Sequence, residues 1–239
     1  MVIFNEVRSY FEKITIKKLK DESFIENELI LKFGLNNELL SEQPKELYDY
    51  YGKGFGLRIW QYPNQFSKYL KYLSSKKINS YLEIGCRFGG TFILTTEYLN
   101  RLNFNFSESV SVDIIDSCNL LQEYVEFNDN ASFKKINSSS SEFKKYIESN
   151  FFDLIFIDGD HSYDGVKNDS IITKDKCNIQ VFHDILSDAC PGVTQWWNEV
   201  KECYVDTHDF YEFTDQYDSV NGSYLGIGVA TRKNWINEI

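Results

Sequence analysis

No stretch of this chain approaches the roughly 18 consecutive apolar residues that a membrane-crossing helix needs, so no membrane span is expected. No secretory leader is expected either, because the first residues hold no apolar core followed by small residues. Basic residues do not outnumber acidic ones. The formal net charge is -11, which leaves no cationic surplus to displace counterions and argues against nucleic acid as a partner. The five cysteines, at 86, 118, 177, 190 and 203, contain no C-x-x-C pair. They read as reduced thiols of a cytoplasmic protein, not as a disulfide or zinc framework. Proline is scarce, with three residues, and there is no internal repeat. What remains is an ordinary globular composition, with 42% hydrophobic and 26% charged residues, and a length sufficient for one domain with an appendage.

Residues 1 to about 48 carry apolar side chains at helical spacing (Val7, Tyr10, Phe11, Ile14, then Phe24, Ile25, Leu29) between Lys- and Glu-rich stretches. They predict helices packed on the main domain or on a second copy of the chain, which leaves a homo-oligomer open. Three glycines in the five positions from Gly52 to Gly56 predict a mobile segment. As far as Gln61 it suits either a lid over a site or a plain linker. Pro63 then opens a helix whose apolar face is Phe66, Tyr69, Leu70 and Leu73. The division expected is a helical extension and lid over 1–76 and a catalytic domain over 77–239.

From Ile78 onward, strands and helices alternate. Strands are expected at Tyr81–Ile84, Val110–Asp113, Phe133–Ile136, Phe151–Ile157 and Ile179–Phe182, with helices at 89–100, 117–127, 138–148, 165–175 and 191–203. Two further strands, near 211–214 and 224–231, have no clear helix between them and predict an antiparallel ending. Such alternation gives a parallel α/β sheet covered on both faces.

Candidate chemistry gathers where strands end. The run F-F-D-L-I-F-I-D-G-D-H-S-Y-D-G reads as a buried central strand that releases Asp158, Asp160, His161 and Asp164 within seven positions. In open parallel sheets, ligands bind beyond the carboxyl ends of the strands. The first strand ends in Y-L-E-I-G-C-R-F-G-G-T, where Gly85, Gly89 and Gly90 permit close approach of a ligand. Glu83 is an acid inside an apolar strand, a costly place unless it meets a cation or hydrogen-bond donors. Asp113 ends the second strand at the interval where an acid pairs with ribose hydroxyls. Arg87 stands where a dinucleotide fold has its second glycine, which disfavours a pyrophosphate.

Together, Y-L-E-I-G-C-R-F-G-G-T, V-S-V-D, F-D-L-I-F-I-D-G-D-H-S-Y-D-G-V-K-N-D and V-F-H-D resemble class I S-adenosylmethionine-dependent methyltransferases. The likeness is greatest to the metal-dependent O-methyltransferases of macrolide, aminocoumarin and surface-polysaccharide sugars, whose motifs the cephalosporin hydroxylase group shares. It covers roughly residues 50 to 230. The resemblance implies a Rossmann-like fold with a mostly parallel seven-stranded sheet and an antiparallel C-terminal strand. It implies S-adenosylmethionine bound by Glu83, Gly85, Gly89, Asp113, Ser138 and Asp158, with Asp113 at the ribose and Ser138 near the adenine. It also implies Mg²⁺ or Mn²⁺ at Asp158 and Asp184, with His183 as a third ligand where the relatives usually carry an acid. The proton acceptor is Asp160 or His161. The acceptor substrate implied is a small molecule, a sugar or nucleotide-sugar hydroxyl. Transfer to an amine nitrogen and a nicotinamide-dependent oxidoreductase are the competing readings. Trp60, Trp196 and Trp197 fit core packing better than ligand stacking.

Overall fold

The computed structural model describes residues 2–38 and 42–235; the parts of the expected 1–76 and 77–239 divisions at 1, 39–41 and 236–239 lie outside the described residues. The chain begins with α1 (Val2–Lys13), α2 (Ile16–Leu19) and α3 (Glu22–Phe24), which runs through a π turn (Ile25–Leu29) into α4 (Ile30–Phe33). Thr15 and Asp21 start α2 and α3 by accepting backbone N–H groups with their side chains. After an irregular stretch holding one short 3-10 turn (Lys45–Leu47) come α5 (Pro63–Leu73), β1 (Ser80–Ile84), α6 (Gly90–Leu102), β2 (Glu108–Asp113), α7 (Asn119–Phe127) and β3 (Ala131–Lys135). Then follow α8 (Ser141–Glu148), β4 (Phe152–Ile157), α9 (Tyr163–Thr173), β5 (Cys177–His183), α10 (Pro191–Cys203), β6 (His208–Phe213) and β7 (Ile227–Arg232).

The strands form one seven-stranded sheet in the order β3-β2-β1-β4-β5-β7-β6. β1 to β5 are parallel, and β7 pairs antiparallel with both β5 and β6. The expected antiparallel ending is therefore present. β7 starts three residues later than its hydrophobic pattern suggests, because Leu225 and Gly226 hold left-handed backbone angles (φ 60° and 94°) that no strand accommodates. The helix after β4 begins two residues early, since Ser162 caps it by accepting the Gly165 N–H at 3.1 Å.

Chain order reverses between β1 and β4, so the crevice of this sheet opens beyond Ile84 and Ile157. On one face of the sheet, Tyr81, Leu154, Phe156, Ile179 and Val181 join a core that also takes in Phe11, Ile25, Leu29, Phe33 and the α5 residues Phe66, Tyr69, Leu70 and Leu73. The other face packs Leu82, Ile84, Ile155, Ile157 and Phe182 on Phe143, Val166 and Trp197. Complete burial of each such side chain contributes about 1.5–3 kcal/mol. Trp196 and Trp197 are core residues, as their setting in the sequence suggests.

The 52–56 glycine segment is used for close packing. A Cβ on Gly54 would collide with the Lys32 carbonyl, and one on Gly34 with that of Lys53. Bridges from Leu35 to Tyr51 and Ile59 tie the same segment to the end of α4.

Candidate functional site

Two strand tips and the loops leaving them build the site. Gly85 ends β1 at φ 87°, and a side chain there would run into the Asp158 carbonyl. This glycine is therefore required both for its backbone angle and for the close approach of the β1 and β4 tips. Asp158 N–H donates to the Ile84 carbonyl at 2.8 Å and Gly85 N–H to that of Val112 at 2.8 Å, carrying the sheet's pairing one step into the crevice. Gly89, at φ 79°, precedes the first turn of α6. Asp113 accepts the Arg87 N–H at 2.7 Å and the Ile115 N–H at 3.1 Å, so its carboxylate also braces the glycine turn.

Beyond β4 and β5, Asp158, His161, His183 and Asp184 converge, each offering one ligand atom, with all four atoms within 4.8 Å of one another. His161 Nε2 lies 3.1 Å from Asp158 and 3.2 Å from Asp184; His183 Nδ1 lies 3.0 Å and 3.4 Å from the same carboxylates. Asp184 holds φ 61°, a left-handed angle for a non-glycine residue, of the sort that clusters at functional sites. Burial pushes Asp158 up, but the two imidazoles override it and hold its carboxyl at about 2. Asp184 is lowered in the same way, burial being outweighed first by His183. His183 is raised well above its ordinary value: burial opposes its charge, and the two carboxylates prevail. His161 is raised by its hydrogen bond to Asp158 against partial burial. The carboxylates thus draw positive charge into the cluster, and the imidazoles supply it as protons.

Asp160 is not drawn into this cluster. Its carboxylate accepts the Ser162 N–H at 2.9 Å and packs over Gly165 in the first turn of α9. Glu83 is buried and accepts the Tyr81 hydroxyl; burial raises it to about 8, so it is protonated at neutral pH. Its needed donor is therefore a tyrosine, and no cation touches it among the described residues. Ser138 donates its hydroxyl to Asp169 at 3.1 Å. Asp169 is completely buried, which raises it to about 6.

Glu83, Gly85, Asp113, Ser138 and Asp160 share one cavity of about 730 Å³ with the four residues of the cluster, while Gly89 and Asp169 are not among its lining residues. That volume is ample for a drug-sized ligand plus a small partner. Its walls include Arg58 and Trp60, within the glycine-rich segment that suits a lid, and residues that no sequence pattern marks: Cys190 at the start of α10, and Tyr224 and Leu225 before β7. Cys190, Tyr224 and Leu225 reach the crevice only through the fold, and no periodicity or spacing signals them. Two features do suit the groups that the sequence implies. The donor set of two carboxylates and two imidazoles is one that holds a divalent ion. The side-chain-free turn at Gly85 leaves backbone open to a cofactor.

Residues 82–185 match a methyltransferase-domain family. No curated protein matches the chain. Among solved structures, an O-methyltransferase from Bacillus cereus in complex with SAH (S-adenosylhomocysteine) is similar at a TM-score of 0.50 and 13% identity, over 95% of this chain and 97% of that one. A structure described as an O-methyltransferase from Klebsiella pneumoniae is similar at a TM-score of 0.50 and 14% identity, over 71% of this chain and 79% of that one. Residues 82–185 are thus similar to a methyltransferase domain, and the chain shares the Rossmann-like fold of these two O-methyltransferase structures.

Proposed function

We propose that the protein is an S-adenosylmethionine-dependent O-methyltransferase that methylates a sugar hydroxyl with the help of a divalent ion. The observation that carries this reading is the convergence of Asp158, His161, His183 and Asp184 beside the Gly85 turn. Asp158, His183 and Asp184 hold the ion, and Mn²⁺ suits their mixed nitrogen and oxygen donors better than Mg²⁺. Glu83, Gly85, Asp113 and Ser138 line the way for the cofactor, and Gly89 turns the chain into α6 next to them. S-adenosylmethionine supplies an electrophilic methyl group, and the ion supplies a positive charge that lowers the pKa of the acceptor hydroxyl.

The chain's own contribution is alignment, exclusion of water and removal of one proton. His161 is the proton acceptor, because its Nε2 stands at the cluster while its ring remains partly open to the cavity. The two carboxylates that raise its pKa are those that would hold the ion; with their charge engaged there they would raise it less, and Nε2 would be free to accept. Asp160 positions the loop by pinning Ser162 and the start of α9. Trp60, half-buried on the cavity wall, offers a flat apolar face to a sugar ring. Residues 77–239 form the catalytic domain, and 1–76 the helical extension with its covering strap. The sugar class rests on the motif resemblance, and a nucleotide sugar of surface-polysaccharide synthesis is the acceptor most in keeping with it. Five free cysteines suit the cytoplasm.

Calorimetry with S-adenosylmethionine and SAH tests the cofactor, with binding of both expected and the absence of both at millimolar ligand ending the proposal. Chelation, and separately Asp184→Ala, should abolish turnover while SAH still binds. Full activity under either condition removes the ion and favours an amine acceptor, which needs none.

A further inference from the structure

Two guanidinium groups meet at one aromatic ring on the cavity wall. Arg58 stands 4.8 Å from the centre of the Phe88 ring and Arg87 stands 5.2 Å from it, with Arg87 also 4.4 Å from Trp60. All four residues line the cavity. Both arginines hold left-handed backbone angles (φ 55° and 44°), which side chains adopt only where their surroundings enforce them. The enforcement is visible. Leu57 and Ile59 are buried on either side of Arg58, and Gly90 lets the Leu57 carbonyl lie directly against α6.

Charge is balanced on one side only. Arg87 is paired with Glu38 at 2.9 Å. Among the described residues, the Arg58 guanidinium makes neither a hydrogen bond nor an ion pair; its recorded contact is the Phe88 face. Like charges at a single ring repel, so an unpaired guanidinium fixed there calls for an anion. Its planar fork matches a carboxylate or phosphate edge to edge, and its face is already occupied by stacking. In a chain of net charge -11 this is not the drift of a basic surface.

We propose that Arg58, backed by Arg87, is an anion-binding subsite on the wall of the cavity that takes a carboxylate or phosphate group of the ligand. The proposal rests on the methyltransferase reading, under which two sources exist: the carboxylate of the cofactor's methionine portion, or a phosphate carried by the acceptor.

Calorimetry on the full chain and on Arg58→Gln separates them, with thermal melts confirming that the variant is folded. SAH carries the carboxylate, 5′-methylthioadenosine lacks the whole amino-acid portion, and inorganic pyrophosphate added to SAH-saturated protein stands for a phosphate group. If the carboxylate is held, the variant binds SAH roughly tenfold to a hundredfold more weakly and 5′-methylthioadenosine as before. If the phosphate is held, SAH affinity is unchanged, and pyrophosphate binding by the native protein is lost in the variant. Unchanged SAH affinity with no Arg58-dependent pyrophosphate binding overturns the subsite. So does equal weakening of SAH and 5′-methylthioadenosine, which is what a purely structural arginine gives. A native protein that binds neither adenosine compound refutes the parent reading, and the subsite with it.

Discussion

Glu83 shows how a single buried carboxyl ties stability to pH. Its ordinary value of 4.5 is raised to about 8 by burial, so between these limits the folded chain holds a proton that the unfolded chain has released. Stability therefore falls as pH rises through that window and levels off above it. Glu83→Gln keeps the acceptor for Tyr81 and removes the titration. Thermal melts should show the variant more stable than the native protein by a few kcal/mol at pH 8.5, with little difference at pH 4.5. At the proposed catalytic cluster, His161→Ala should lower the rate constant of methyl transfer by about 10²–10⁴-fold in single-turnover measurements, with SAH affinity kept. Asp160→Asn retains an oxygen for the Ser162 N–H and should cost no more than about tenfold. The reverse ranking would transfer the proton-accepting role to Asp160.

At the scale of elements, the glycines of the 52–56 segment are not equivalent. All three hold positive φ, but Gly54 packs its Cα on the Lys32 carbonyl, whereas a Cβ at Gly56 would meet nothing within 4 Å. Gly56→Ala should cost about 1–2 kcal/mol, the penalty for a left-handed side-chain-bearing residue. Gly54→Ala should cost more, because the strap must also separate from the end of α4. Since the strap continues through Arg58 and Trp60 into the cavity wall, SAH affinity should fall in the second variant alone. Chemical denaturation and calorimetry on the same two proteins check both statements. The sequence suggests a mobile segment from its glycine count, yet here Gly54 serves close contact. Composition does not distinguish a backbone that needs freedom from one that needs proximity.

For the molecule as a whole, the helices before residue 34 and the central sheet share a core. Phe4 meets Tyr124 of α7 edge to face at 5.8 Å, and the Tyr98 hydroxyl of α6 donates to the Leu19 carbonyl at 2.7 Å. Gln65 of α5 clasps the other end of the chain, donating to the Asp215 carbonyl at 2.7 Å and accepting the Gly226 N–H at 2.9 Å. Removing residues 1–56 would uncover faces of α5, α6 and α7. Each large apolar side chain exposed costs about 1.5–3 kcal/mol, against a total domain stability of about 5–15 kcal/mol. The shortened chain should show no cooperative transition by calorimetry. A sharp melt would mean that the sheet and its helices are self-sufficient.

Local pattern in the sequence settled which segments become strands and helices from Ile78 onward, and that Asp158 and Asp184 leave strands at the end where ligands bind. Apolar runs, helical spacing and glycine position are properties of neighbours along the chain, and the parallel character of the sheet follows from the repeated strand-and-helix alternation. Only the tertiary structure decided that His161 turns into the carboxylate cluster while Asp160 turns to the start of α9. These adjacent residues share a loop, and their directions depend on Gly165 and on the strand tip across the crevice. It also decided that Tyr81 answers Glu83, and that Arg58, Trp60 and Tyr224 reach the same cavity. Such contacts join positions far apart in the chain, and no local pattern records them.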